Sequence, residues 1–259
     1  MPLLIVKLGG RTLRNLSEIV RDLANYEFLV VHGGGDEVSE VSRRMGIEPK
    51  FVTSPSGVRS RYTNEEELKV YVMVMSLINR RIVNELLNLG LSALGISGVD
   101  GPTLIAERKE RIVVEERGKR FAMPGGYTGR ISEVRVELIR YLMDAGYRLV
   151  LSPIARGTKG EMLNVDADQA AVRLADALLP EALVILTDVD GVIVNDEVRR
   201  RIHPSELSSI LSEVGAGMNR KLLLIKEIAD RVRVIVANGL RDEPVTRALN
   251  GEGTSVTIY

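Results

Sequence analysis

The chemistry this sequence offers is concentrated in two glycine turns and a scatter of cations and carboxylates. Lys7 stands two residues ahead of Gly9 and Gly10, and the run Gly33-Gly34-Gly35 repeats the glycine pattern. Glycine lets a turn present bare N–H groups and brings its Cα close to a ligand. A lysine beside such amides suits an anion, and phosphate above all. Further along stand Arg59 and Arg61, Asn164-Val-Asp-Ala-Asp168, Thr187-Asp188-Val-Asp190-Gly, and Gly217-Met218-Asn-Arg-Lys221. Singly, each has an ordinary explanation. Asp168 at a helix start can serve as a cap or as a helix-dipole carboxylate. Residues 187–191 can be a polar turn, and His32 a satisfied, partly buried ring.

Missing signatures narrow the field. The sequence contains no G-x-x-x-x-G-K-[ST], no G-x-G-x-x-G and no G-x-S-x-G, which removes the P-loop, the dinucleotide fingerprint and the hydrolase elbow. There are no cysteines and only two histidines, His32 and His203, so thiol chemistry, disulfides and a multi-histidine zinc site fall away. Lys+Arg and Asp+Glu balance at 35 each, leaving no global field for nucleic acid or an anionic membrane. Aromatics make up 4% and tryptophan is absent, which argues against base-stacking surfaces. The N-terminus lacks a signal peptide's pattern, and no apolar run approaches a membrane span of about 20 residues. A cytoplasmic protein is expected.

These residues need elements to position them. The apolar run Leu3-Leu-Ile-Val6 ahead of Lys7, and a second at 28–31, read as strands buried on both faces, a parallel-sheet signature. Helices follow at about 15–25 and 36–44, giving the strand–helix alternation of a doubly wound α/β sheet. If strands 1 and 2 are neighbours, both glycine turns open at one carboxyl edge, where such sheets bind ligands. Residues 50–64 break the rhythm as a loop or short hairpin. Thr63 or Asn64 then caps a helix over 65–89, apolar on more faces than a surface helix needs. It is either a central core helix or a subunit interface. A strand at 91–96 precedes a charged hairpin excursion over 103–123. A helix over 133–145, a strand at 148–151 and a loop over 154–163 come next. Beyond them the pattern predicts a helix to 178, strands at 183–186 and 232–236, and helices at 204–211, 220–229 and 244–249. A last strand spans 254–259. The 259 residues form a single domain of two lobes on one sheet, about 1–160 and 161–259, joined near 155–175.

As an ordered set, these motifs resemble the amino acid kinase superfamily from residue 3 to the C-terminus, and its acetylglutamate kinase branch in particular. Within it, the chain is most similar to the archaeal and Thermus-type kinases of lysine and arginine biosynthesis. Those act on 2-aminoadipate or glutamate attached through its amino group to a small acidic carrier protein. The segments that carry this likeness are residues 54–63, Gly98-Val-Asp-Gly101, Ala106-Glu-Arg-Lys109 and Gly125-Gly-Tyr-Thr-Gly-Arg130. Acetylglutamate enzymes have a shorter Gly-Leu-Arg-Val-Thr arginine loop, and Asn-x-Asn-x-Asp in place of Asn164-Val-Asp166-Ala-Asp168.

The resemblance implies a three-layer αβα sandwich with a mainly parallel central sheet. It implies an ATP-dependent phosphotransferase acting on a carboxylate, with magnesium held by the nucleotide rather than by protein side chains. Lys7 would sit over the transferring phosphoryl group, Lys221 on the leaving side, and Asp168 would hold both. Amides of Gly9, Gly10 and Gly34 would receive phosphoryl oxygens. Gly34, Gly35 and Asn164 would face the substrate, and Arg61 or Arg59 would grip its α-carboxylate. Thr187, Asp188, Asp190, Gly217, Met218 and Lys221 would line the nucleotide pocket. Arg108, Lys109, Lys119, Arg120, Tyr127 and Arg130, with Arg111 and Arg117, would meet the acidic carrier. Interleaved glutamates leave a plain solvated hairpin as the alternative. A homodimer through the 65–89 helix is expected. The competing functions are free N-acetylglutamate kinase, another kinase of the superfamily (aspartate, glutamate or carbamate), and a non-catalytic nucleotide or amino-acid sensor.

Overall fold

The computed structural model describes residues 2–258 apart from Ser56, Val58 and Arg117. Strand and helix alternate from the start. β1 (Leu3–Leu8) passes through a 3-10 turn (Gly10–Asn15) into α1 (Leu16–Leu23), and β2 (Glu27–His32) runs into α2 (Gly35–Arg44). The hairpin of β3 (Lys50–Thr53) and β4 (Arg59–Tyr62) leads to α3 (Glu65–Asn88). Asn64 caps α3, its side chain accepting from the Glu67 amide. Next come β5 (Ala93–Gly98), β6 (Leu104–Arg108), β7 (Arg111–Glu116), β8 (Lys119–Pro124) and β9 (Gly129–Val134). They are followed by α4 (Glu137–Asp144), β10 (Arg148–Gly157), β11 (Met162–Asn164) and α5 (Ala167–Leu178). The remainder holds β12 (Ala182–Thr187), β13 (Ile193–Val194), β14 (Glu197–Val198), β15 (Arg201–Ile202), α6 (Leu207–Ile210) and α7 (Ala216–Ile225). It closes with β16 (Arg233–Asn238), α8 (Pro244–Leu249) and β17 (Thr254–Val256).

Among the described residues, eleven strands share one sheet in the order β15-β17-β16-β12-β1-β2-β10-β6-β9, with β5 and β11 also paired to β10. β1 lies at its centre, parallel to both β2 and β12, with Leu8 opposite His32 and Leu186. Within this sheet, the described antiparallel pairs are β16–β17, β10–β11 and β6–β9. The two-residue side-chain period of β1 divides the core. Leu4, Val6 and Leu8 pack with α1, α3 and α8, whereas Ile5 packs with α4, α5, α6 and α7. Lys7 shares the parity of Ile5 and so enters the layer that holds α5. This is the αβα sandwich expected from the sequence.

Four stretches differ from the sequence reading. Gly129–Val134 is a strand paired with β6, so the helix expected from 133 begins at Glu137. The loop expected over 154–163 is the continuation of β10 and its return as β11. Ile154, Ala155 and Leu163 are buried there, and only the polar tip reads as a loop. The neighbours of β10 change at Pro153: β2 and β5 pair before it, β6 and β11 beyond it. A residue without N–H is tolerated at such a change of partner. The excursion over 103–123 is two-tiered, since β6 and β9 belong to the main sheet and only β7 and β8 project as a separate hairpin. Finally, the helix expected over 220–229 is α7, which starts at Ala216 behind the extended cap Gly215 and ends at Ile225. Strand β17 ends at Val256, and the expectation for Tyr259 lies outside the described residues.

One face of α3 is core: Tyr71, Met75, Ile78, Ile82 and Leu86 are buried. Its outer face leaves Met73 and Leu77 55% and 54% exposed, with Leu87 beyond them. Among the described residues, no helix is long and apolar enough to cross a membrane.

Candidate active site

Three elements deliver one ionic cluster. Lys7 comes from the end of β1, Asp168 from the first turn of α5 and Lys221 from the middle of α7. The helix begins where it does because Asp166, not Asp168, is the cap, its side chain accepting from the Gln169 amide. Asp168 is thereby free to pair. Lys7 Nζ lies 2.7 Å from its Oδ1 and Lys221 Nζ 2.5 Å from its Oδ2. Burial alone would raise the Asp168 carboxyl, but the two ammonium groups outweigh it and hold the group well below the usual carboxylate range.

The glycine turns face each other beside this cluster. Gly33 donates to the Leu8 carbonyl at 2.8 Å, locking the β2 turn to β1. A Cβ on Gly10 would lie 3.3 Å from the Gly34 nitrogen, and one on Gly34 would collide with Ile78 Cδ1. A side chain on Gly10 would press on the facing turn, and one on Gly34 on the core side of α3. Gly34 caps α2 and Gly35 opens it, so their amides lie where a helix has no acceptor for them. Gly9 differs from the sequence expectation. Its amide donates to the Leu186 carbonyl at 3.0 Å and is spent on joining β1 to β12.

Two clefts meet at Lys7, Gly10, Gly35 and Asp36. The first is also lined by Arg11, Thr187, Asp188 and Lys221. The second, of about 340 Å³, extends past Gly34, Phe51, Arg59, Arg61, Tyr71 and Asn164. In the first, Asp188 accepts from Arg11 Nη1 at 2.7 Å. That bond holds its carboxyl below the ordinary range despite some burial. Asp190 turns away, toward Asn238 (2.8 Å) and Arg241 (3.0 Å), in a separate hollow with Arg200 and Arg247. Gly217 meets open space, and Met218 is half-buried against the core.

In the second cleft, the structure separates the two arginines. Arg61 is committed. Its Nη1 donates to Glu67 Oε1 at 2.6 Å, and its Nη2 to the Gly35 carbonyl at 2.7 Å and to Ser39 Oγ. The pair is 9% and 2% exposed. Arg59 stacks over the Phe51 ring at 4.4 Å, and among the described residues no carboxylate is paired with it. Asn164 donates to Thr63 Oγ1 at 2.8 Å and lines the same cleft.

Of the remaining expected residues, Arg108 is engaged inside the fold, donating to the Gly126 carbonyl at 2.6 Å and stacking over Tyr127 at 4.0 Å. Arg120 pairs with Glu115 at 2.9 Å, and Lys119 and Arg130 are exposed. Arg117 lies outside the described residues. His32 is wholly buried, its Nδ1 3.0 Å from the Gly33 carbonyl. Burial pulls its pKa down to about 4, against the opposing carbonyl bond, so it is neutral. It does not reach either cleft. Among the described residues, no three His, Cys, Asp or Glu side chains are grouped to hold a metal.

Sequence reasoning missed Arg11, Glu67 and Arg220. Arg11 joins Asp188 and, at 3.5 Å, Asp36. Arg220 pairs with Asp166 at 3.0 Å. The signal for Arg220 was present: Asp166 and Asp168 face consecutive cations, Arg220 and Lys221. Glu67 gave none, being one of three glutamates at a helix start.

Residues 2–238 match the model of the amino acid kinase family. The chain belongs to this family. Among amino acid kinases, it is 47% identical over 261 residues to a protein of Saccharolobus solfataricus named [LysW]-aminoadipate/[LysW]-glutamate kinase, covering 98% of this chain and 99% of that one. A relative of the same name from Metallosphaera sedula is 45% identical, covering 98% and 100%. The fold matches solved structures as well. N-acetylglutamate synthase from Neisseria gonorrhoeae superposes with a TM-score of 0.82 at 22% identity, over 99% of this chain and 59% of that one. Carbamate kinase from Giardia lamblia gives 0.70 at 16% identity, over 99% and 98%. At these identities, the likeness is one of fold.

Proposed function

We propose that this amino acid kinase transfers the γ-phosphoryl group of ATP to the side-chain carboxylate of 2-aminoadipate or glutamate carried, through its amino group, on a small acidic protein. The product is an acyl phosphate of lysine or arginine biosynthesis, made in the cytoplasm. The observation that carries this reading is the Lys7–Asp168–Lys221 cluster at the junction of two clefts, in a chain whose full-length relatives are named as such kinases.

The nucleophile is a carboxylate, ionised at neutral pH, so no general base is required. The difficulty is bringing it against a phosphate, anion to anion. Positioning and charge neutralisation supply the catalysis. Lys7, common to both clefts, neutralises the transferring group, and Lys221 the leaving side. The amides of Gly10, Gly34 and Gly35 offer preorganised donors for phosphoryl oxygens. Asp168 fixes both lysines and, ionised, does not compete as a proton donor. Magnesium would enter with the phosphates, since Asp168 and Asp188 already have cationic partners. In the acceptor cleft, Arg59 is the arginine with donors to spare for the α-carboxylate. Arg61 holds the wall behind it, and Asn164 faces the α-carbon. Thr187 and Asp188 line the nucleotide side. Gly217 and Met218 belong to the helix that carries Lys221, and Asp190 lines the separate hollow with Arg241.

A hydroxylamine trap for acyl phosphate tests the reading, with carrier-linked 2-aminoadipate, carrier-linked glutamate and free N-acetylglutamate as acceptors. Turnover of the conjugates alone is expected. Turnover of N-acetylglutamate alone overturns the carrier assignment, and ATP binding without any turnover returns the chain to a sensor. The outer stripe of α3, with Met73, Leu77 and Leu87, fits a homodimer seam; a monomer in light scattering at micromolar concentration refutes it.

A further inference from the structure

The acceptor proposed above comes in two lengths, and the cleft that takes it is bounded at both ends. At one end stand Lys7, Gly10 and Gly34, where the reacting carboxylate meets the phosphoryl group. At the other, Arg59, stacked over Phe51 at 4.4 Å, offers its donors to the α-carboxylate. 2-Aminoadipate has one methylene more than glutamate. With both carboxylates pinned, the extra carbon cannot lengthen the span and must bow sideways into the floor between them.

That floor is apolar and buried, made by Tyr71, Met75, Pro153 and Val165. Three of the four cannot yield. Tyr71 is held by its hydroxyl, which donates to the Pro153 carbonyl at 3.0 Å. Pro153 is a ring closed on its own backbone, and Val165 has a single stiff side-chain torsion. Met75 is different: unbranched, with three rotatable bonds and a polarizable sulfur, it can change shape within a packed wall. It stands one helical turn beyond Tyr71 on α3 and reaches the reacting end of the cleft. Its Sδ and Cε lie 3.4 Å from the place a Cβ on Gly34 would take. Met75 is 2% exposed, so a carbon chain pressing on it meets a packed thioether rather than water.

We infer that Met75 gauges the length of the acceptor's carbon chain, its thioether lying along the extended methylenes of glutamate and swinging aside for the bowed chain of 2-aminoadipate. The inference rests on the proposed function, which supplies the two acceptors. One methylene in an apolar pocket is worth roughly 10–200-fold in kcat/KM, so a single side chain is enough to move the preference. A larger, rigid side chain fills the space of the bow, and a smaller one leaves it empty when glutamate is bound.

Initial rates of the full chain with carrier-linked 2-aminoadipate and carrier-linked glutamate test this, in wild type, Met75→Val and Met75→Phe. The quantity read is the ratio of kcat/KM for the two conjugates on one preparation, so the fraction of folded enzyme cancels. Met75→Val opens the floor and should shift the ratio about tenfold toward 2-aminoadipate. Met75→Phe fills it and should shift the ratio about tenfold toward glutamate. A merely structural loss lowers both rates together and leaves the ratio unmoved. A shift below about threefold in either variant, or in the opposite sense, overturns the gauge and leaves the proposed function standing. Should Met75→Phe not fold, the Met75→Val ratio decides by the same threshold. A wild-type chain that phosphorylates N-acetylglutamate and neither conjugate overturns the proposed function, and the gauge with it.

Discussion

Asp168 spends one oxygen on Lys7 and the other on Lys221, so each ammonium group is held in place by a charge that cannot be withdrawn by mild acid. Replacing either lysine with alanine should lower kcat by about 10²–10³-fold, the scale of losing one preorganised donor to a developing charge. It should leave the melting transition cooperative, since Asp168 keeps one partner; an unchanged kcat in Lys7→Ala would sink the mechanism. Gly34 offers a steric test. Alanine there runs into Ile78 Cδ1 and should cost about 1–3 kcal/mol through overpacking. Ile78→Val removes that methyl, so the double variant should melt above Gly34→Ala; if it melts lower, the contact is not the cause. His32 supplies a pH test. Its pKa is drawn from 6.5 down to about 4 by burial, so the unfolded chain binds the proton first as pH falls. Stability is therefore complete above about pH 6.5 and declines toward pH 4, by up to about 3 kcal/mol. His32→Asn should flatten that slope in urea titrations at pH 7 and 4.5, and an equal slope would refute the assignment.

At the level of elements, the hairpin β3–β4 owes its place to Arg61, which ties it to the Gly35 carbonyl on α2 and to Glu67 on α3. Removing one partner of a buried pair strands the other charge. Glu67→Ala should thus cost several kcal/mol and raise the acceptor KM more than the ATP KM. Glu67→Gln keeps a hydrogen-bond acceptor for Arg61 and should recover part of both. If both KM values rise together, the hairpin does not belong to the acceptor side. This network shows where sequence reading stops. Lys7, Asp168 and Lys221 were legible because glycine turns, strand ends and cations recur in a recognisable order. Arg61 and Arg59 were not separable, because their roles depend on which reaches Glu67, and that is set by the fold of the hairpin. Strand β9 was hidden for a related reason. Its polar residues follow the solvent face of an edge strand, a pattern that does not read as a strand until its partner is known. The break at Pro153 misled in the same way, marking a change of partner rather than an end.

For the whole molecule, the chemistry is anchored at the middle of the sheet. β1, β2 and β12 are adjacent and parallel, and their carboxyl ends supply Lys7, the glycine turns and Thr187. The outer walls of the acceptor cleft lie outside that slab, on the β3–β4 hairpin and on α7. Those outer parts have fewer buried apolar residues, and segments of that kind open first in native-state exchange. Heating should accordingly separate two failures. Below the global melting point, the affinity for the acceptor should decay while phosphoryl transfer, once the acceptor is saturating, keeps its ordinary rise with temperature. In this protein, recognition is the perishable part and the reaction centre the durable one.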